Sequence, residues 1–156
     1  MLNLQRIQCL RHVVPVVFGL LLEEGIEISI PKICSLVPEI KCNLIVEGAG
    51  GLMVPLNRKE FMADLIQSLG AKVILVSRNY LGSINHSILT ANIARQKNLP
   101  VVGWVFNDHY LDYENEIADW TDYPSLGSVP FADNATAEFI RIQARKLKPE
   151  LETMPC

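Results

Sequence analysis

The 156-residue chain is 49 % hydrophobic and 20 % charged, which suits a single soluble globular domain with a real core and excludes a disordered chain. Its 14 basic and 17 acidic residues leave a net charge of −3 with no long run of either sign. Sequence-independent phosphate binding wants the opposite balance, so no nucleic-acid partner is expected. Cys9, Cys34, Cys42 and Cys156, like His12, His86 and His109, stand at spacings of no zinc or redox motif and read as scattered residues of a reduced, cytoplasmic protein.

In chain order, the first apolar run is VVPVVFGLLL (13–22), interrupted by Pro15 and Gly19. A spanning helix needs roughly 20 apolar residues. A signal peptide would place a small-residue cleavage site where EEGIE stands. A buried helix over about 14–24 is expected instead, with no membrane partner. A short extended IEISI (26–30) follows, then PKICSLVPEI (31–40), helical with Pro31 near its start.

From residue 42 the pattern becomes regular. CNLIVE (42–47) reads as a short apolar strand. EFMADLIQSLG (60–70) places Phe61, Met62, Leu65, Ile66 and Leu69 at helical spacing, with Gly70 as C-cap. KVILVS (72–77) is a β-branched strand. SINHSILTANIARQKN (83–98) reads as a helix with Ser83 as N-cap and basic residues at its end. LPVVGWVFN (99–107) is the next strand, followed by a short helix near 111–119, a strand at 125–130 and a final helix at 136–147. Strands apolar almost throughout, alternating with helices, are what a parallel sheet covered on both faces requires. The expected fold is α/β: a doubly wound, mostly parallel sheet with helices on both faces, in one domain (1–156) without repeats or linkers.

Ligands of such sheets gather beyond the carboxyl ends of the strands. Four stretches stand there. In EGAGG, Glu47 could supply the single carboxylate that magnesium needs beside phosphate oxygens and water, while Gly48, Gly50 and Gly51 bare backbone N–H groups to an anion. A glycine-rich turn with an exposed glutamate is the plainer alternative. In YLGSINHS (80–87), Gly82 leaves open the approach to a helix start whose N–H groups, at Ile84 and Asn85, lack intrahelical acceptors. An ordinary capped helix explains the same residues. Asn107-Asp108 could offer a donor and an acceptor to a planar base, or simply form an Asx turn. Pro130 and Phe131, in VPFADN, could flank a purine or merely form a loop.

Taken together, VEGAGGLMVPL (46–56), LGSINHSILT (81–90), GWVFND (103–108) and LGSVPF (126–131) resemble the dethiobiotin synthetases in order and interval, over nearly the whole chain. Upstream, VVPVVFGLLLEEGIEIS (13–29) is similar to a degraded form of the family's segment, with Val16 at its usual histidine. The resemblance implies an ATP- and Mg²⁺-dependent cyclo-ligase of biotin biosynthesis. It would convert 7,8-diaminopelargonic acid and CO₂ to dethiobiotin as a cytoplasmic homodimer with sites at the subunit interface. By the same resemblance, Glu47 would be the Mg²⁺ ligand, and Gly48, Ala49, Gly50 and Gly51 the loop near the nucleotide phosphates. Leu81, Gly82, Ser83, Ile84 and Asn85 would hold the substrate carboxylate from the partner subunit. Asn107 would recognise adenine with Asp108 beside it, and Pro130, Phe131 and Ala132 would flank the base. A further acidic residue of the family has no clear counterpart, falling at Ala137 without gaps and at Glu138 with one.

The family fold is P-loop NTPase-like, and its members run to well over about 200 residues, a usual domain size. They begin with a strand and a P-loop. No G-x-x-x-x-G-K-[ST] pattern occurs in these 156 residues, which correspond to the later two-thirds of that fold. The phosphate cradle, its lysine and a second Mg²⁺-binding aspartate are therefore expected to be lacking, and the chain alone is expected to be inactive. A non-catalytic remnant that dimerises or binds nucleotide is the alternative. An amidotransferase-like enzyme of cobalamin biosynthesis, which shares the glutamate–glycine loop, is disfavoured by LGSINHSILT.

Overall fold

The computed structural model describes residues 28–38, 44–48, 50–108, 111 and 113–152. The expected helix at 14–24 and the first two residues of the extended 26–30 segment lie outside them; of the other three, Ser29 is extended, but Ile30 already begins a helix. Two compact units divide at Gly70/Ala71.

In the first unit, Ser29 is extended and caps α1 (Ile30–Leu36), with Pro31 in the first turn, where its missing N–H is no loss. α2 (Met62–Leu69) ends at Gly70, whose φ of 60° is the left-handed cap the sequence anticipates. Ile30 of α1, Leu56, and Met62 and Leu65 of α2 form the buried cluster, with Ile28, Ile33, Cys34, Ile66 and Leu69 packed around it. Asn57 makes the turn before α2. Its Oδ1 accepts from the N–H groups of Lys59 and Glu60, and its Nδ2 donates to Ile28 O at 2.9 Å, tying the turn to the start of α1.

The expected strand at 42–47 is not formed in its described part: residues 44–48 belong to no strand, and Ile45 and Val46 are exposed. An apolar run becomes a strand only by pairing its backbone. No backbone hydrogen bond joins residues 44–48 to other described residues.

The second unit is the sheet. β1 (Val73–Arg78), β2 (Val101–Asn107) and β3 (Ser125–Val129) pair in the order β1-β2-β3, both pairs parallel. α3 (Ser83–Gln96) crosses from β1 to β2, α4 (Glu114–Thr121) from β2 to β3, and α5 (Ala137–Glu152) follows β3. Parallel neighbours require such crossovers, so the helices are consequences of the strand order. Paired residues share a face. On one face stand Leu75, Ser77, Trp104, Phe106 and Ser128, against α3 and α4. The Ser77 and Ser87 hydroxyls pair at 2.8 Å, and Trp104 Nε1 donates to Thr121 Oγ1 at 2.9 Å. On the other face α5 covers β3, with Leu147 over Gly127, while Ile74 and Val76 of β1 are exposed. The architecture is α/β and doubly wound, with helices flanking a parallel sheet.

Gly103 shows how tightly β2 and β3 approach. A Cβ there would lie 2.5 Å from Pro124 O and 2.8 Å from Leu126 Cγ, at a φ of 155°. Only glycine fits that crossing.

Candidate functional site

Arg78, Asn107 and Val129 stand side by side in register, so the three strands finish at one level. Three of the four sequence-selected stretches leave the sheet at that edge: Leu81–Asn85 after β1, Asn107-Asp108 after β2, and Pro130–Ala132 after β3.

Asn107 is partly buried at the end of β2, and Asp108 turns the chain with a φ of 65°. Asparagine and aspartate tolerate this left-handed conformation better than other side-chain-bearing residues. The turn is held by Arg78 Nε, 2.6 Å from Asp108 Oδ2, and by Asp108 N–H donating to Val129 O at 3.1 Å. Asn79 contributes more: its N–H donates to Asn107 O at 2.8 Å, and its Nδ2 donates to Asp108 O at 3.0 Å and Glu114 Oε1 at 3.3 Å. Ser128 Oγ donates to the other oxygen of Glu114. Sequence reasoning missed Asn79, Glu114 and Ser128. Only the strand-end position of Asn79 could have marked it.

At the start of α3, one expectation needs correction. Gly82, not Ser83, is the N-cap, and Ser83 is the first helical residue. Tyr80 O accepts the N–H groups of both Gly82 and Ser83, drawing the chain into the helix one residue early. The Ser83 hydroxyl is consequently turned inward: the residue is 2 % exposed and its Oγ has no hydrogen-bond partner. The N–H groups of Ile84 and Asn85 find no acceptor among the described residues, as the sequence anticipates. Tyr80 OH and His86 Nδ1 hydrogen-bond above Gly82. Leu81 is 86 % exposed at the tip of this turn. After β3, Pro130 and Ala132 are half-buried and Phe131 is 62 % exposed, an apolar ring beside the strand end.

The remaining stretch belongs to the first unit. Glu47 and Gly48 are exposed, and Ala49 lies outside the described residues. Gly50 has a φ of 84°, and a Cβ on Gly51 would meet nothing within 4 Å. Neither Gly50 nor Gly51 N–H has a backbone acceptor among the described residues. The loop is seated on α2: Met62 N–H donates to Val54 O and Ala63 N–H to Leu52 O, so the start of α2 is occupied by its own chain. For magnesium, the described residues contain no group of three His, Cys, Asp or Glu side chains able to hold a metal. The exposed Glu47 carboxylate fits a one-carboxylate share in a site completed by phosphate oxygens and water.

Comparison with known proteins identifies the family. Residues 20–138 match the model of the AAA domain family. The ATP-dependent dethiobiotin synthetase BioD of Cytophaga hutchinsonii is 44 % identical over 126 residues, 80 % of this chain and 60 % of that protein. The protein of the same name from Christiangramia forsetii is 49 % identical over 84 residues, 54 % of this chain and 39 % of that protein. The biotin biosynthesis bifunctional protein BioCD of Bordetella avium is 35 % identical over 118 residues, 75 % of this chain and 25 % of that protein. The chain thus spans at most about three-fifths of the length of these relatives. Matched by that family's model over most of its length and built on a doubly wound parallel sheet, the chain belongs to the AAA domain family as a homologue of the dethiobiotin synthetases.

Proposed function

We propose that this chain carries the base and substrate-carboxylate recognition of a dethiobiotin-synthetase-type reaction. In that reaction an amine of 7,8-diaminopelargonic acid captures CO₂ as a carbamate, and ATP transfers its γ-phosphoryl group to it, leaving ADP. The second amine then attacks the activated carbon, expels phosphate and closes the ureido ring. The observation that carries the reading is the convergence of three motif stretches on the carboxyl ends of three adjacent parallel strands, where ligands of open α/β sheets bind.

In this reading the Asn107 amide donates to and accepts from the adenine edge, with Pro130, Phe131 and Ala132 beside the ring. The unpaired N–H groups of Ile84 and Asn85 receive the substrate carboxylate at the positive end of α3, reaching toward the site of a second subunit in a homodimer. Gly48, Gly50 and Gly51 would present bare backbone to the phosphates. Magnesium, held through Glu47, would neutralise phosphate charge. The setting is the cytoplasm, and no helix among the described residues is long and apolar enough to cross a membrane.

Phosphoryl transfer depends on positioned donors around the phosphate oxygens, and removing one such donor costs about 10²–10³-fold in rate. These 156 residues contain no G-x-x-x-x-G-K-[ST] pattern, the sequence of a P-loop with its lysine. Binding without turnover is therefore the activity expected of the chain by itself, the second reading being a nucleotide-binding or dimerising remnant. The test is ATP-dependent incorporation of labelled bicarbonate into dethiobiotin, with a full-length synthetase as control. The chain alone is expected to fall at least about 10³-fold below the control. Turnover within about tenfold of it would show that the chemistry does not need a P-loop.

A further inference from the structure

We propose that Asn79 is a positioning residue for base recognition, locking the Asn107–Asp108 peptide through a bracket completed by Glu114 and Ser128. The proposal rests on the reading of Asn107 as the base-recognising residue, but its structural half can be tested without any nucleotide.

Both ends of the peptide between Asn107 and Asp108 are pinned. Its carbonyl accepts the Asn79 N–H at 2.8 Å, and its N–H donates to Val129 O at 3.1 Å. The following carbonyl, of Asp108, accepts Asn79 Nδ2 at 3.0 Å. With both planes fixed, the direction in which the Asn107 side chain leaves the strand end is fixed as well. Asp108 sits at a φ of 65°, a conformation that needs such support in any residue but glycine.

The side chain at position 79 must be a primary amide. Its two N–H groups face two acceptors, Asp108 O and Glu114 Oε1, and the reversed orientation would turn its carbonyl oxygen toward both. The orientation is therefore set by the surroundings, at the expense of Oδ1, which is left without a partner in a residue only 4 % exposed. A group that leaves its own oxygen unsatisfied in order to hold a neighbouring turn is placed for that turn. Glu114 is in turn held by Ser128, whose partner in β2 is Phe106, the residue before Asn107. The bracket thus holds Asn79 against the turn from α4 and, through Glu114, from β3.

The experiment compares the chain with Asn79→Ala and Ser128→Ala, first by amide hydrogen exchange and side-chain ¹⁵N resonances in the absence of ligand. In Asn79→Ala, exchange at Asp108 N–H is expected to quicken about tenfold, the scale of a lost hydrogen bond or two. The Asn107 side-chain resonances should shift, while exchange at Leu75 stays within about twofold. Ser128→Ala, which loosens the bracket from its far side, should show the same pattern at about threefold. It remains the deciding variant if Asn79→Ala does not fold. Unchanged exchange at Asp108 with unmoved Asn107 resonances would overturn the proposal. The second readout is the ATP-to-GTP affinity ratio, expected to collapse toward unity in Asn79→Ala. Equal weakening for both nucleotides would reduce Asn79 to a structural residue and reject its role in recognition. If the unmodified chain binds neither nucleotide, the base-recognition reading of Asn107 fails, and the exchange result still decides whether Asn79 positions the turn.

Discussion

Residues 42–47 and 72–77, CNLIVE and KVILVS, are near twins as sequences: six residues each, apolar through the middle, with a charge at one end. Their fates differ. Val73–Arg78 becomes β1, with Val73, Leu75 and Ser77 buried on one face and a full parallel ladder to β2. Residues 44–47 form no strand, and Val46 is 54 % exposed. Hydrophobicity and β-branching prepare a segment for a sheet, but hydrogen bonds to a neighbour are what make it a strand. β1 obtains that neighbour because α3 is a complete crossover that delivers β2 beside it. The lesson extends to the glycines. Gly103, inside the ladder, is required by contacts, whereas at Gly51, in the loop that follows residues 44–48, a Cβ would meet none among the described residues.

The harshest way to probe this contrast is a charge in each twin. Leu75 is 5 % exposed, and Leu75→Asp would bury a carboxylate without a partner against Trp104. A loss of about 4 kcal/mol or more is expected, enough to unfold a domain of ordinary stability. Val46→Asp should move the denaturation midpoint by less than about 0.5 kcal/mol, as surface substitutions do. Urea titrations of both variants by circular dichroism settle the matter. Comparable losses would mean that residues 44–47 are packed as tightly as β1.

Gly103→Ala is next in size. The added methyl meets a backbone carbonyl, which cannot swing aside, and the backbone is one that L-residues avoid. Overpacking and strain together should cost about 2–4 kcal/mol. Gly50→Ala is the sharper comparison, because its φ of 84° is also unfavourable but its Cβ meets the Val54 side chain, 2.5 Å away. A side chain can rotate, so about 1–2 kcal/mol is expected there. Thermal melts that rank Gly50→Ala above Gly103→Ala would contradict the view that the β2–β3 approach is the tighter constraint.

How much of this could be read from the chain follows from where each signal lies. The three strands, α2, α3 and the Gly70 cap were legible within a few residues, because periodicity, crossover length and a C-terminal glycine are all local. So was the placing of three of the four motif stretches at the strand ends, since a parallel sheet brings equivalent ends to one edge, whereas the fourth, at 47–51, follows no strand. The N-cap of α3 was misread at Ser83 because the competing acceptor, Tyr80 O, acts through a backbone turn that side-chain preferences do not encode. Residues 44–47 were misread because an apolar run looks the same with or without a partner strand. The Asn79–Glu114–Ser128 bracket left no trace beyond the strand-end position of Asn79. Its members are 35 and 14 residues apart along the chain and meet only through sheet register and the placement of α4.

The smallest expected effect on stability is also the most informative about the glycine loop. Among the described residues, a methyl at Gly51 would meet nothing within 4 Å, and the Gly51 backbone makes one bond, its carbonyl accepting from Val54 N–H at 3.0 Å. Gly51→Ala should therefore change stability by less than about 0.5 kcal/mol. If the loop approaches nucleotide phosphates as proposed, the same methyl stands where a phosphate oxygen would come, since close backbone approach is what glycine allows. The measurement is the ratio of ATP to adenosine affinity by calorimetry. Adenosine binding should be unchanged, and any advantage ATP holds over it should fall severalfold in Gly51→Ala, about threefold or more for a blocked charge-assisted contact. A preserved ratio would show that the phosphates do not visit this loop. A stability loss above about 1 kcal/mol would instead show that the space around Gly51 is filled by the chain itself.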